Sequence, residues 1–585
     1  MKTLKNIFLL FMTIIMPLSL SAGCDITPVD PVCPGDPECP PLPCEGDDCP
    51  CEGPDCDTPE PPTPDPIGNS VIEIPTYPSS IERYPNAKLY VGEWEIPMLN
   101  VKTNTSHRWT DLPATPQRAD NAVVVLKLKG VATFTLITTY ELDGKIRIFP
   151  SDYNIRGEVD QANKTIKFEI YAPGQYTIEP NEDPKNTIHL FVDNPETANV
   201  TLDKNDPNVI YFGPGIHNRE NSDRIDNSRN ITPQNGQTVW LDYGAVVEGR
   251  IYASGKNNIK VVGGGLIYHV NISRSSTVQA MNFSNCNNIS ISGITVVDPA
   301  AWVINLYFCN DIKIDNIKII GSRQNSDGIT VQSCQRLLCE NSFVRGYDDN
   351  LVVKNYPTNS NNVTSTNQGH TEDITFRNMV LWTDLAQSME IGYELVGDEA
   401  KGIVFENINV FHNFHKPVIS IHNCGNSLVH DVIFKDITVE VATMGMGDSD
   451  AGYLIDFVAR YHNEYSSKQN KNIQLPINNI EDVLVQNVLV KKNPNGMKPM
   501  QFLGAKDTRP DFKDQEAWVK NITLTDVQQE KTLITASSSL IMKNEYVSNL
   551  VVNSTGKAVT GYKVSTIYTS NQIKDFRLSL GVIYL

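Results

Sequence analysis

The chain has 585 residues, and 40% apolar against 20% charged residues can bury a large core, which excludes wholesale disorder. Asp and Glu outnumber Lys and Arg by 68 to 49, and a formal charge of −19 argues against a nucleic-acid clamp, which needs clustered cations. The acidity is uneven: residues 25–66 hold 12 acidic residues and no Lys or Arg, and setting them, Lys2 and Lys5 aside leaves −9 for residues 67–585.

Lys2 and Lys5 precede an apolar run from Ile7 to Leu20, and Ser21-Ala22-Gly23-Cys24 follows. A positive end, a moderate apolar stretch and small exit residues predict a secretory signal peptide over residues 1–23. Ser-Ala-Gly-Cys resembles a bacterial lipobox, although Leu is commoner where Ser21 stands. The resemblance implies lipidation of Cys24. The expected product is an exported lipoprotein at the outer membrane or cell surface of a Gram-negative bacterium. A lipid anchor would hold it to the membrane, and no nucleic-acid partner is expected. Residues 24–66 read as a tether. Positions 25–66 contain 14 Pro and six Cys: Cys33, Cys39, Cys44, Cys49, Cys51 and Cys56. Pro favours extended polyproline II, and like charges keep such a chain open. In an exported protein these Cys suit local disulfides better than a metal site.

Residues 70–235 read as a small β-sandwich. Val123–Leu128, Thr133–Ile137 and Thr187–Val192 are short β-rich runs separated by Gly, Asn, Asp and Pro turns. From 236 to 585 the texture is a repeat that predicts a right-handed parallel β-helix, so the fold class is all-β. Each copy starts with Ile, Leu or Val, alternates, and meets Gly, Asn or Asp four residues on. The starts are Ile259, Ile289, Ile312, Leu337, Ile374, Ile403, Val432, Val483 and Ile522. Their intervals of 23 to 51 residues suit coils with inserted loops. Alternate apolar residues would fill a narrow tube, and the fourth residue would turn the chain in a conformation that Gly, Asn and Asp tolerate. Cys286, Cys309 and Cys334 each lie three residues before a start and predict a stacked column of small side chains. Stacking consumes the apolar residues, so function must come from polar groups on an outer face or from inserted loops. An elongated face suits a polysaccharide.

The densest polar signal is Asn325-Ser326-Asp327-Gly328 followed by Gly346-Tyr347-Asp348-Asp349. Asp327 and Asp348 are 21 residues apart, about one coil, and are expected side by side. A lone Asp-Asp would most often be a pair of Asx turns binding local backbone. A further Asp one coil earlier points instead to catalysis. Glycoside inversion needs one carboxylic acid for the leaving oxygen and another carboxylate to activate water. Like charges crowded together would raise one pKa and supply the acid. His412, His415 and His422 could line the same groove, although each alone reads as a surface or turn residue. No His/Cys spacing resembles a zinc site, so neither a metal nor a cofactor is expected.

These two motifs on a β-helix resemble the clan of inverting glycosidases formed by glycoside hydrolase families 28 (polygalacturonases) and 49 (dextranases). The resemblance implies Asp348 as general acid, with Asp327 and Asp349 activating the water. The Gly-His-Gly of polygalacturonases is replaced by Ala386-Gln387-Ser388-Met389-Glu390-Ile391-Gly392, and their Arg-Ile-Lys is missing after Asp349. Trp382 through Ile391-Gly392-Tyr393 is closer to family 49, and so is a sandwich before the β-helix. A dextranase-like substrate is therefore favoured over a pectin-type one. Lys354, Trp382, Gln387, Glu390, Tyr393, Glu394 and His422 are the expected sugar-binding residues. Two rival readings are a polysaccharide lyase on the same fold and a non-catalytic glycan-binding β-helix lipoprotein.

Overall fold

A computed structural model describes residues 70–104, 118–357, 369–444, 452–462, 475–564 and 580–584. The expected signal peptide, Cys24 and the expected tether with its six Cys lie outside the described residues.

The chain is all-β, with a sandwich preceding a right-handed parallel β-helix. In the sandwich a seven-stranded sheet covers a five-stranded one. Leu89, Phe134 and Phe168 of one sheet meet Val124, Tyr176 and Leu190 of the other in a single core. Ala132–Thr138 alternates buried and exposed positions, as a sheet with one solvated face should. Ile188–Asp193 is buried at every position. Its alternate residues serve two cores: Ile188, Leu190 and Val192 face the sandwich interior, and Phe191 faces the β-helix.

The nine expected starts form one unbroken parallel column, from Ile259 paired with Ile289 to Val483 paired with Ile522. All nine are buried in the tube. The residues four positions on, Gly263, Gly293, Asn316, Asn341, Asn378, Asn407, Asp436, Asn487 and Asp526, all have positive φ. Asn side chains bridge neighbouring coils there: Asn407 donates to Asn378 at 2.8 Å and Asn378 to Asn341 at 3.2 Å. One residue type thus supplies both the left-handed turn and the inter-coil tie. Cys286, Cys309 and Cys334 are buried free thiols in adjacent coils, and the Cys309 amide donates to the Cys334 sulfur at 3.3 Å.

Two boundaries differ from expectation. Parallel pairing begins at Val209–Phe212, ahead of position 236. That coil has strands of two to four residues around a polar loop, so the repeat signature is missing from it. The last described strand, Leu580–Tyr584, leaves the β-helix and pairs in parallel with Ser70–Ile74 of the sandwich.

The seven-stranded sheet rests on one side of the β-helix. Phe149 stacks on Phe411 at 4.8 Å, and Phe191 meets Phe343 at 5.1 Å. Lys318, buried, binds Asp193 at 2.7 Å. A second side of the tube, an eleven-stranded sheet, turns alternate residues outward and carries the site.

Candidate active site

In the eleven-stranded sheet Ile304, Ile329, Leu351, Met389, Ile419 and Ile455 share one register. Two residues before four of them stand Trp302, Asp327, Asp349 and Gln387. The backbone ties these turns together: Gly328 N donates to Asp349 O at 2.8 Å and Asn350 N to Gln387 O at 2.9 Å. Gly328 makes this stacking possible, since a Cβ there would lie 2.4 Å from Val344 Cγ1 and 2.5 Å from Asn350 O. The side chain of Asn350 donates to the carbonyls of Val344 and Trp382 and to Thr383 Oγ1. The Asn-x-Asp-Gly and Gly-Tyr-Asp-Asp-Asn motifs are therefore also the parts that dock two coils.

Asp327, Asp348 and Asp349 converge, with one carboxylate oxygen of each within 4.8 Å of the others. This is the trio expected from the sequence. Asp327 and Asp349 are buried, and Asp348 is half-buried with access to solvent. Asp349 Oδ1 accepts from Gln387 N at 3.2 Å. Asp327 Oδ1 is buried and has no hydrogen-bond partner. Burial first, then repulsion by Asp348, pushes Asp327 well above the usual carboxylate range. The same causes push Asp349 up to about 8. Burial also raises Asp348, against the opposing pull of Lys354 and Lys416. Near neutral pH such a trio retains protons, so one member can donate while another accepts. Among the described residues this is the one carboxylate group close enough to share a metal ion.

Carboxyl groups acting as acid and base in an inverting site are expected about 6.5–9.5 Å apart. Nearest oxygens within 4.8 Å make a tighter cluster.

Beside the trio stand Lys354, Gln387, Glu390, Tyr393, Glu394 and His422; Tyr393 is half-buried, and the other five are buried, Glu390 and Gln387 most deeply. Lys354 binds Glu394 at 2.7 Å. Burial alone would discharge Lys354, but Glu394 and the aspartates outweigh it and hold its pKa well above the ordinary value. His422 donates from Nδ1 to Glu390 at 2.9 Å and from Nε2 to Asp456 at 3.1 Å. Burial opposes that charge, yet the two carboxylates hold the His422 pKa up at about 10. Tyr393 stacks on His422 with ring centroids 4.3 Å apart, and Gln387 donates to its hydroxyl at 3.1 Å.

Trp382 is a correction. It is fully buried against the sandwich, with its Nε1 donating to Asp384 at 2.8 Å and its ring 4.3 Å from His412. No substrate reaches it. His412 is also buried there and binds Glu179 of the sandwich at 2.7 Å, and His415 is buried too. Spacing identifies the coil of a residue, and Trp382 lies on the right coil but on the wrong side. Two residues were missed. Trp302, half-buried, precedes Asp327 by 25 residues, one coil, and has Lys354 5.3 Å from its ring centre. Asp456 pairs with Ser420 in register and completes the clamp on His422. Trp302 could have been found by counting back one coil. Asp456 follows a long insertion that hides its coil.

Residues 234–378 match the family described as glycosyl hydrolases family 28, a span that contains all three aspartates. A probable polygalacturonase of Arabidopsis thaliana is 27% identical over 88 residues, 15% of this chain and 19% of that protein. The match thus spans about a fifth of that relative's length. Among solved structures, Dex49A from Penicillium minioluteum aligns over 82% of this chain and 96% of its own, with TM-score 0.52 and 11% identity. A family 28 exopolygalacturonase from Yersinia enterocolitica aligns over 73% and 97%, with TM-score 0.35 and 11% identity. The resemblance to family 28 is borne out over residues 234–378, and the likeness to Dex49A is one of fold.

Proposed function

We propose that the chain is a glycoside hydrolase that cleaves a polysaccharide with inversion at the anomeric carbon. The observation that carries this reading is the convergence of three carboxylates with raised pKa values, one bearing an unpartnered buried oxygen. Asp348, the most accessible, protonates the leaving oxygen. Asp327 and Asp349 hold the water, and the member of this coupled pair that is ionised takes the water's proton. Two hydrogen bonds of about 2.8 Å span up to roughly 5.6 Å, so one water bridges oxygens within the observed spacing. The similarity to families 28 and 49 supports the same roles.

The outer face favours a neutral glucan of the dextran type over a pectin-type polyuronate. Both Lys354 and His422 are already neutralised by carboxylates, so neither is spare for a uronate. The same pairing disfavours a lyase, because a Lys354 held protonated is a poor base. Incubation of purified protein with dextran, pullulan, polygalacturonate and rhamnogalacturonan tests the reading. Reducing ends without unsaturated sugars are expected, most of all from a neutral glucan. Unsaturated ends would establish the lyase, and binding without turnover would establish the non-catalytic glycan-binding protein.

We also infer from Ser21-Ala22-Gly23-Cys24 that the protein is an exported lipoprotein anchored through Cys24. Labelled fatty acid should attach to the wild type and not to Cys24→Ala, and an unlabelled wild type would end this inference.

A further inference from the structure

We propose that the sandwich positions the catalytic turn, with Arg345 as the positioning residue that joins that turn to His189 across the interface. This rests on the reading of Asp348 and Asp349 as catalytic groups. Arg345 lies on Phe343–Gly346, three residues before Asp348, and is fully buried. It belongs to a column that faces the sandwich: Tyr268, Val297, Ile320, Arg345, Trp382, His412 and Val441. The column is apolar or aromatic up to Ile320. A cation enters it on the coil that carries the Asp pair.

The environment of that cation is poor for stability alone. Arg345 donates to His189 Nε2 at 3.0 Å, and its closest carboxylate, on Asp384, is 3.5 Å away. Its Nε has no partner, and its guanidinium lies 4.1 Å from the centre of the Trp382 ring. Burying a charge this way costs more than a well-packed apolar residue of similar size. Burial holds His189 well below its ordinary pKa, so the ring is neutral. Nδ1 is bonded to Thr177 Oγ1 at 3.0 Å, and Nε2 is the acceptor that Arg345 needs. Thr177 Oγ1 can donate or accept, so Arg345, a donor only, is what fixes the neutral ring with its proton on Nδ1.

The other arm reaches the turn directly. Asp384, held by Trp382 Nε1 and Arg345, donates its own amide to Gly346 O at 2.9 Å. Ala386 N donates to Tyr347 O at 3.3 Å. Gly346 and Tyr347 are the two residues that lead into Asp348. A chain of direct contacts therefore runs from Thr177 through His189, Arg345 and Asp384 to the backbone of the catalytic turn.

His189→Leu, His189→Gln and Arg345→Lys test the coupling in the full-length protein. Misplacement of a catalytic group costs up to about 10²-fold. His189→Leu should lower kcat by about 10- to 100-fold with KM within about twofold. His189→Gln, whose side-chain oxygen can stand near the Nε2 position, should recover most of that loss. Amide hydrogen exchange is the second readout and needs no substrate. Exchange at Gly346–Asn350 should quicken in His189→Leu and in Arg345→Lys, while Asn287–Ser292, remote on the β-helix, stays unchanged. Should His189→Leu fail to fold, Arg345→Lys carries both readouts. Unchanged exchange at the turn in a folded variant would overturn the proposal, and so would a loss that His189→Gln does not repair. If Asp348→Asn were fully active, the catalytic reading would fail instead, and exchange at the turn would still decide the positioning.

Discussion

Replacing Asp348 with Asn is expected to lower kcat by about 10²–10⁴, the range for loss of general acid catalysis. The substitution preserves shape and removes the proton that Asp348 delivers. Stability should move the other way. Burial raises the folded-state pKa of Asp348, so the folded protein binds its proton more tightly than the unfolded chain does. A carboxylate raised in this way destabilises the fold as pH climbs through and beyond the ordinary carboxylate range. Asp348→Asn removes that penalty, so its Tm at neutral pH should equal or exceed that of the wild type. Kinetics and thermal unfolding of one preparation check both halves. The wild-type pH profile follows from the same shifts. Its alkaline limb reports loss of the acid proton and should lie above the ordinary carboxylate range of about 4. An alkaline limb at or below that range would contradict the crowded trio.

Ile314→Asp should be the most damaging single change to the fold. Ile314 is fully buried and stacks between Ile291 and Cys339 on the neighbouring coils. An Asp there places an unpaired charge inside the tube, among the few mechanisms that cost more than about 4 kcal/mol. Loss of soluble protein or a large fall in Tm is expected. Lys313 is adjacent on the same strand, with 55% of its side chain exposed. Lys313→Gln should therefore shift stability by no more than about 0.5 kcal/mol. Equal effects at the two positions would mean that the inside and outside of the strand are misassigned.

The tube was legible because its repeat encodes two constraints at once. The apolar start specifies what points inward, and the Asn, Asp or Gly four residues later specifies a left-handed turn. All nine copies agree on both counts. The aspartates were legible for the same reason, since 21 residues is one coil and a coil brings two turns together. The side of the tube was harder to read. Trp382 and Gln387 are five residues apart on the same coil, yet one lies under the sandwich and the other beside Asp349. Where a domain covers the β-helix, apolar and aromatic residues point outward, and an outward Trp looks like a sugar platform. The first coil was hidden by its two- to four-residue strands. The link between His189 and Arg345 joins residues 156 apart in sequence, with no local motif to mark it.

The anomeric configuration of the first-formed sugar tests the inverting glycosidase most directly. Proton NMR of a neutral α-glucan, recorded within the first minutes after enzyme addition, separates the α and β reducing ends before mutarotation mixes them. The three-aspartate site predicts that the new reducing end appears first as the β anomer, with no such signal from Asp348→Asn. An initial α anomer, or unsaturated ends in place of reducing sugar, would contradict it.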